Sequence, residues 1–222
     1  MVPGIRYVIF MQGCTLKCKY CHNRDTWDID NFNKTISVDN AVLEIEKYIT
    51  YMKSSGGGVT VSGGEPLLQA NFIKNLFSKL KEKNIHTTID TSGSLKINED
   101  ILNLLKYTDL VLLDIKHIDN EKCIDLTGSS NTNTISFAKY LSDNNIPIWI
   151  RQVLIPGITD NKEDLLKLKH FISTLKSVEK VEILPYHSMG KFKWENLGIP
   201  YLLNDIPDAT DKDIEIAKKV LF

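Results

Sequence analysis

The chain has 222 residues, of which 42% are hydrophobic and 25% are charged, and its formal net charge at pH 7 is −1. This length and composition suffice for a sizeable hydrophobic core and exclude a disordered or fibrous protein, so we expect a single domain over residues 1–222. A net charge near zero gives no general attraction to nucleic acid or to an anionic membrane, and we expect neither as a partner.

The N-terminal segment MVPGIRYVIFMQ contains an apolar run at residues 5–11 that is too short to span a bilayer. It also lacks the basic region and the small-residue cleavage site of a secretory signal peptide. We therefore expect a cytoplasmic protein. In that reducing compartment, clustered cysteines are more often metal ligands or catalytic thiols than disulfides.

Strand and helix patterns alternate along the whole chain. Runs rich in β-branched residues predict strands at 5–11, 58–62, 86–90, 109–114, 147–154 and 178–184. Apolar residues at helical spacing predict helices at 38–53, 68–83, 98–106, 133–144, 161–175 and 210–221. Ser37 or Asp39 would cap the first helix, and Thr159 or Asp160 would cap the fifth. The pattern predicts the α/β class: an incomplete (β/α)6 barrel of parallel strands, with a doubly wound open sheet as the alternative.

The loops that follow the predicted strands carry the polar and glycine-bearing motifs. In chain order they contain Cys14, Cys18 and Cys21, then SGGEP (62–66), DTSG (90–93), DIKH (114–117), IPGITD (155–160) and LPYHSMGKFKW (184–194). The carboxyl ends of parallel strands meet at one end of such a fold. We therefore expect these loops to form one site.

Three explanations fit the spacing of Cys14, Cys18 and Cys21. On a helix they would form a buried stripe, but the stretch follows a strand and lacks apolar companions. A zinc site would need a fourth ligand from among His22, Cys123 and His187. However, structural zinc sites normally have two separated ligand pairs, and the chain has no second CxxC or HxxxH. A [4Fe-4S] cluster fits best, because three thiolates can leave its fourth iron open. We expect Cys123 to take no part.

The segment CTLKCKYCH matches the CxxxCxxC signature of the radical S-adenosylmethionine superfamily, in which an aromatic residue, here Tyr20, typically precedes the last cysteine. Further segments resemble the activating enzymes of glycyl-radical enzymes in that superfamily: PGIRYVIFMQGC, CHNRDTW, SGGEPLLQ, DTSG, LVLLDIKH, RQVLIPGITD and LPYHSMGKFKW. The resemblance covers residues 3 to about 194. It implies an incomplete (β/α)6 barrel of the radical S-adenosylmethionine type, with a [4Fe-4S] cluster and S-adenosylmethionine as cofactors.

The resemblance also assigns roles to individual residues. Cys14, Cys18 and Cys21 would ligate the cluster, and these three together with Lys116 would form the catalytic set. Contacts to S-adenosylmethionine would come from Tyr20, Cys21, His22, Gly63, Gly64, Glu65, Asp114, Ile115, Lys116 and His187. Tyr20 and His22 would approach the adenine, and the glycines would let the backbone approach the cofactor's amino group.

The remaining implied contacts involve charged side chains at strand ends. Asp114 and Lys116 would hold the ribose hydroxyls and the methionine carboxylate. Asp90, Thr91 and Asp114 would supply oxygen ligands to a monovalent cation. Arg151 would orient the cofactor or an incoming peptide. Where the family usually has DGPGIR, this chain has MVPGIR, so the Asp and the first Gly that the family associates with its protein substrate are absent.

Plainer interpretations exist for several of these positions. Two adjacent glycines also make an ordinary turn between a strand and a helix. Asp114 and Lys116 could form an exposed ion pair of little energetic value. Asp90 could be a helix cap, and Arg151 could belong to a structural ion pair.

The function implied by the resemblance is the activation of a glycyl-radical enzyme. Reductive cleavage of S-adenosylmethionine would give a 5′-deoxyadenosyl radical that abstracts hydrogen from a glycine Cα. No cysteine lies between Cys21 and Ser62, which favours the short type that acts on pyruvate formate-lyase in anaerobic glucose metabolism. The electron donor would be a low-potential protein such as flavodoxin or ferredoxin. The alternatives are activation of another glycyl-radical enzyme such as anaerobic ribonucleotide reductase, a small-molecule radical reaction, and a zinc-stabilised binding module.

Overall fold

In a computed structural model that describes residues 2–32 and 34–222, six strands form one sheet. They are β1 (Arg6–Met11), β2 (Gly58–Gly63), β3 (His86–Thr91), β4 (Leu110–Asp114), β5 (Ile148–Leu154) and β6 (Val178–Pro185). Each strand end lies within one residue of the end predicted from the sequence. The runs of β-branched residues locate the strands well because such side chains pack on a pleated, buried surface.

The helices follow the predicted positions with several differences. They are α1 (Val38–Glu46), α2 (Ile49–Ser55), α3 (Ala70–Glu82), α4 (Glu99–Leu105), α5 (Asn120–Thr127), α6 (Thr132–Asp143), α7 (Lys162–Ser173), α8 (Lys191–Asn196) and α9 (Asp211–Leu221). The helix predicted at 38–53 is interrupted between α1 and α2, and α5 and α8 were not predicted. Ser37 caps α1 as expected, whereas Asn161, and neither Thr159 nor Asp160, caps α7.

The sheet has the strand order β1-β2-β3-β4-β5-β6, and every adjacent pair is parallel. A doubly wound sheet requires a point where the strand order reverses, and this order has none. Because crossovers between parallel strands are almost always right-handed, a sequential order keeps the helices on one side of the sheet. The incomplete (β/α)6 barrel is thereby confirmed, with β1 and β6 as its edges.

Two separate hydrophobic clusters support the fold. The helix-facing core lies between the sheet and the helices and includes Val59, Val61, Ile73, Leu76, Phe77, Leu80, Ile89, Leu104, Val111, Leu113 and Phe137. The loop cluster consists of Leu16, Cys18, Tyr20, Leu126, Ile155, Tyr186, Trp194, Tyr201 and Leu203. The first cluster holds the strands and helices together, and the second lies under the cysteine loop.

The opposite face of the sheet lines the lumen of the half-barrel. Because side chains alternate along a strand, the lumen receives residues such as Thr60 and Thr88, whose neighbours in sequence lie in the helix-facing core. At the amino end of the strands, Arg6 donates hydrogen bonds to Thr60 (2.6 Å) and to Thr88 (2.8 Å). The charged groups at the carboxyl end form the site described below.

Among residues 2–32 and 34–222, none of the helices combines the length and the hydropathy that a bilayer crossing requires.

Candidate functional site

A cavity of about 420 Å³ opens at the carboxyl end of the sheet. Residues that follow or end all six strands line it: Cys14, Leu16, Cys18, Tyr20, Cys21, His22, Asn23, Thr26, Trp27, Ser62, Gly63, Gly64, Asp90, Thr91, Ser92, Asp114, Lys116, Arg151, Val153, Leu184, Pro185, Tyr186 and His187. The structure therefore brings five of the six predicted motifs together in one place. The fifth strand contributes Arg151 and Val153, whereas no residue of the predicted motif IPGITD (155–160) lines the cavity. Two predicted site residues, Glu65 and Ile115, are not among those that line it.

The cysteine loop begins directly after β1 and is closed by backbone hydrogen bonds. The amide of Gly13 donates to the carbonyl of Thr26 (2.8 Å), and that of Cys14 donates to Trp27 (3.1 Å). Gly13 has a φ of +97°, a conformation that side chains with a Cβ rarely adopt. These bonds set the direction in which Cys14 leaves the strand.

The middle of the same loop rests on the end of α5. The amides of Lys17 and Lys19 donate to the carbonyls of Thr127 (2.7 Å) and Leu126 (3.0 Å). The last carbonyls of a helix have no partner within the helix, so they are available as acceptors. A helix that the sequence patterns did not reveal thus positions the loop that carries the three cysteines.

Cys14, Cys18 and Cys21 all line the cavity. Burial raises the pKa of Cys14 to about 11 and that of Cys18 to about 12. The free thiols of these two residues are therefore protonated at neutral pH. Iron binding would release those protons, since thiolates are the ligands.

The donor set fits a cluster better than a single ion. Within residues 2–32 and 34–222, no three His, Cys, Asp or Glu side chains are arranged to hold one metal ion. Cys21 nevertheless lies close enough to raise the pKa of Cys14, and both residues raise the pKa of Cys18, so the three thiols are near one another. A [4Fe-4S] cluster binds each thiolate at a different iron, so its ligands need not converge on one point. The three cysteines fit that group.

Cys21 is held by two tryptophans. The indole Nε1 of Trp27 donates to the Sγ of Cys21 (3.2 Å), and the indole Nε1 of Trp194 donates to the carbonyl of Cys21 (2.9 Å). The two indole rings meet edge to face, with their centroids 5.4 Å apart. Trp194 is 1% exposed and belongs to the loop cluster, so that cluster directly supports the third cysteine.

The glycine pair after β2 packs against the start of the cysteine loop. A Cβ added to Gly64 would lie 2.1 Å from the carbonyl oxygen of Gly13, and one added to Gly63 would lie 2.3 Å from the amide nitrogen of Met11. Gly63 also has a φ of +110°. The chain itself therefore requires glycine at both positions, whereas the sequence suggested that the approach of a ligand is the reason.

A chain of polar contacts crosses the mouth of the lumen. Ser62 donates to Asp90 (2.9 Å), and Arg151 donates to Asp90 and to Asp114, the latter at 2.7 Å. Lys116 donates to the second oxygen of Asp114 (2.9 Å). Two carboxylates and two cations offset one another here, which limits the cost of placing four charges where little water reaches.

The pKa values of the two carboxyl groups in this network shift in opposite directions. Burial raises the pKa of Asp90, and Arg151 offsets only part of that rise. Burial acts on Asp114 in the same sense, but Arg151 and Lys116 together lower its pKa to about 2. Burial opposes the charge on Lys116, yet Asp114 raises its pKa well above the usual value. At neutral pH, Asp114 is therefore a carboxylate and Lys116 an ammonium group.

Three aromatic side chains face the cavity on the side of the last cysteine. Tyr20 is 6% exposed, and the Nζ of Lys116 lies 5.8 Å from the centre of its ring. The rings of His22 and His187 are 4.4 Å apart, and the Nε2 of His22 lies 2.9 Å from the carbonyl oxygen of His187. Among the described residues, the buried Nδ1 of His187 has no hydrogen-bond partner.

Three predicted contacts differ from their expected arrangement. Ile115 is 1% exposed and lies in the helix-facing core, because it alternates with Asp114 and Lys116. Glu65 is fully buried and is not among the residues that line the cavity. Thr91 is 2% exposed and donates to Glu65 (2.5 Å), so its hydroxyl does not join Asp90. The predicted cation ligands Asp90 and Asp114 are instead bridged by Arg151.

Glu65 connects two of the loops that line the cavity. Its carboxylate accepts hydrogen bonds from the amide of Leu67 (3.1 Å), the hydroxyl of Thr91, and the amide (3.1 Å) and hydroxyl (2.5 Å) of Ser92. It therefore fixes the SGGEP loop to the DTSG loop. The sequence placed Glu65 at the cofactor because it lies in the same motif, but its side chain stabilises the scaffold.

Several residues at the site were not singled out from the sequence. Trp27, Trp194, Tyr186 and Tyr201 form the aromatic support of the cysteine loop, and the hydroxyls of Tyr186 and Tyr201 lie 2.9 Å apart. The two tryptophans stand in the segments HNRDTW and KFKW, which resemble the family, and this resemblance could have indicated their role. Tyr201 lies beyond those segments and carried no signal.

The sequence of the chain is similar to known proteins over most of its length. Residues 8–168 match the model of the radical SAM superfamily. The chain is 54% identical over 220 residues to the pyruvate formate-lyase-activating enzyme of Staphylococcus epidermidis, covering 97% of this chain and 88% of that protein. It is 52% identical to the protein of the same name from Staphylococcus aureus (strain COL), with the same coverage.

The fold also has solved relatives. A radical SAM methyltransferase from Sphaerobacter thermophilus aligns over 97% of this chain and 62% of that chain, with a TM-score of 0.70 and 15% sequence identity. At that identity the likeness concerns the fold alone. It agrees with the sequential, all-parallel strand order described above.

Proposed function

The chain belongs to the radical S-adenosylmethionine superfamily and, within it, to the pyruvate formate-lyase-activating enzymes, and on that premise we propose that it activates pyruvate formate-lyase. The observation that carries the proposal is the convergence of Cys14, Cys18 and Cys21 on a cavity lined from all six strand ends. The identity of 54% to a relative of that name supports the same target. Residues 1–222 would form one catalytic domain.

Cys14, Cys18 and Cys21 would hold the [4Fe-4S] cluster. When bound, the cluster and S-adenosylmethionine supply one-electron cleavage of the sulfonium and thereby a 5′-deoxyadenosyl radical. The residues of this chain position the reactants and limit the access of water. The loop cluster backs the cysteine loop with apolar and aromatic side chains, so the ligands stay in place without solvent behind them.

The amino, carboxylate and ribose groups of S-adenosylmethionine would be held by residues at the ends of β2 and β4. The backbone of Gly63 and Gly64 would accept from its amino group, and Lys116 would bind its carboxylate. Asp114, ionised at neutral pH, would accept from the ribose hydroxyls while Arg151 holds it in place. Lys116 would thus exchange part of its contact with Asp114 for the ligand.

The adenine would lie against the aromatic side of the cavity. Tyr20 and His22 would flank it, and the unpartnered Nδ1 of His187 would bond to the nucleoside. A monovalent cation bound by Asp90 and Asp114 would have to displace Arg151 from between them. Of the predicted contacts, Glu65 and Ile115 would act through the scaffold only.

The proposal includes partners and a compartment. The protein substrate would present a glycine loop to the cavity, and a low-potential protein such as flavodoxin or ferredoxin would supply the electron. The enzyme would act in the cytoplasm, in anaerobic glucose metabolism, without nucleic acid or membrane as a partner. The near-zero net charge of the chain supports the last point.

The test measures whether hydrogen passes from the glycine Cα of the substrate to 5′-deoxyadenosine. Reduced protein is incubated with S-adenosylmethionine and with a peptide from the glycine loop of pyruvate formate-lyase that is deuterated at the glycine Cα. We expect deuterium in 5′-deoxyadenosine, because the glycine carbon must lie in near contact with the radical carbon. A matched peptide with Ala in place of that Gly is the control. Cofactor cleavage without transfer, from the peptide and from intact pyruvate formate-lyase alike, would contradict the proposal.

A further inference from the structure

The chain has three tryptophans, and they stand in three different relations to the cysteine loop. Trp27 donates its indole N–H to the Sγ of Cys21 (3.2 Å), and Trp194 donates to the backbone carbonyl of the same residue (2.9 Å). Trp149 donates to Glu179 (3.3 Å) at the far end of the sheet. Only Trp27, among the described tryptophans, bonds to the atom that would bind iron.

Two cations lie on the Trp27 ring. The guanidinium carbon of Arg24 is 4.0 Å from the ring centroid, and the Nζ of Lys17 is 4.7 Å from it. No carboxylate of residues 2–32 or 34–222 forms a salt bridge with either cation. A cation over an aromatic face draws electron density from the ring and makes its N–H a stronger donor.

We propose that Trp27 raises the reduction potential of the cluster by withdrawing electron density from Cys21. The inference rests on the proposed function, because it requires the cluster. The reduced cluster carries one more negative charge than the oxidised one, and a hydrogen bond to a ligand sulfur stabilises the more negative state more. Trp27 is therefore a positioning residue that acts on the iron through Cys21 and makes the first electron transfer easier.

The indole side chain of Trp27 can be replaced without removing the contact by which the residue helps to close the cysteine loop. Its backbone carbonyl accepts from the amide of Cys14, and that bond helps to close the cysteine loop whatever the side chain. The ring is only half-buried and borders a second, outer cavity of about 590 Å³, so a smaller ring is tolerated there. Trp27→Phe thus removes the N–H donor and keeps an aromatic ring.

The test is the midpoint potential of the reconstituted cluster, followed by EPR spectroscopy. We expect Trp27→Phe to lower the equilibrium constant for one-electron reduction about tenfold, which is about 59 mV. Trp194→Phe disturbs the packing at Cys21 but keeps the bond to its Sγ, and it should shift the potential much less. Trp149→Phe should leave it unchanged. An unchanged potential in Trp27→Phe, or an equal shift in Trp194→Phe, would overturn the inference.

A second measurement uses the wild-type protein and does not depend on a variant that folds. With tryptophan labelled by ¹⁵N at the indole nitrogen, pulsed EPR of the reduced cluster should show a coupled nitrogen, because Trp27 lies in hydrogen-bond contact with a ligand sulfur. The absence of that coupling would contradict the inference even if Trp27→Phe did not retain iron. A wild-type protein that binds no cluster would instead contradict the proposed function, so the two failures are distinguishable.

Discussion

The helix-facing core and the loop cluster differ in composition and in origin. The core is mostly aliphatic and is assembled from strands and helices that are neighbours in the chain, such as β3 and α3. The loop cluster is rich in aromatic residues and joins the cysteine loop to residues 186–203. The polar groups of its aromatic side chains also form hydrogen bonds. Trp194 bonds to Cys21, and Tyr186 bonds to Tyr201.

This difference separates the stability of the sheet from the geometry of the site. The core residues hold the strands in register, and their loss affects the whole fold. The loop cluster lies between irregular segments that can open without the sheet, since local unfolding requires less free energy than global unfolding. Substitutions of equal size in the two regions should therefore have different consequences.

The largest expected effect comes from a matched pair of substitutions, Phe77→Ala in the core and Trp194→Ala in the loop cluster. Both side chains are buried, with 0% and 1% exposure. Phe77→Ala should lower the free energy of unfolding by about 4 kcal/mol, because it leaves a cavity among packed side chains. Trp194→Ala should lower it less, since the cost cannot exceed the free energy that keeps the loops closed. Urea unfolding followed by circular dichroism measures both.

The same pair should show the opposite order in iron binding. Trp194→Ala removes the support of Cys21 and should reduce the iron content after anaerobic reconstitution. The folded fraction of Phe77→Ala should bind iron as the wild type does. If Trp194→Ala lost as much global stability as Phe77→Ala and kept its iron, the two regions would not be separable.

A smaller effect is expected at Glu65, which fixes the SGGEP loop to the DTSG loop outside the loop cluster. Glu65→Gln replaces a carboxylate oxygen that accepts two bonds from Ser92 with an NH₂ group, which cannot accept them. We expect a loss of about 2 kcal/mol in the free energy of unfolding, because buried donors remain unpaired. The exposed Glu215→Gln on α9 is the control and should change little. If both variants had the same free energy of unfolding in urea, the hydrogen bonds of Glu65 would not contribute the expected stability.

The smallest expected effect is a pH dependence. His117 is 1% exposed, and burial lowers its pKa below 6.5, although Asp164 acts in the opposite sense. Below pH 6.5 the unfolded chain takes up a proton that folded His117 resists, so this contribution to stability is present above pH 6.5 and is lost as the pH falls. His117→Asn keeps an acceptor for the amide of Asp119 and should flatten the decline between pH 7 and 5.

The control for this prediction is His170→Gln on the exposed face of α7, which should leave the pH profile unchanged. Thermal unfolding of the full chain at each pH measures the decline. If the stability of His117→Asn declined with falling pH as that of the wild type does, groups other than His117 would cause the decline.

The sequence predicted the strands, the fold class and the convergence of the motifs, because these depend on local patterns. It failed where an arrangement depends on contacts between distant segments. The bond from Trp194 to Cys21 joins residues far apart in the chain, and the bridge from Arg151 to Asp90 and Asp114 links three strands. The pattern of alternation would have excluded Ile115 from the cavity, but the family resemblance placed it there.

The proposed function requires that Cys14, Cys18 and Cys21 bind iron and that Cys123 does not. The measurement is the iron and sulfide content of Cys18→Ser and Cys123→Ser after anaerobic reconstitution. Cys123 is buried on α5 and lies against Thr127, outside the cavity. We predict that Cys123→Ser keeps the wild-type iron content and that Cys18→Ser loses most of it. Loss of the iron from Cys123→Ser and its retention in Cys18→Ser would contradict the assignment of the cluster ligands.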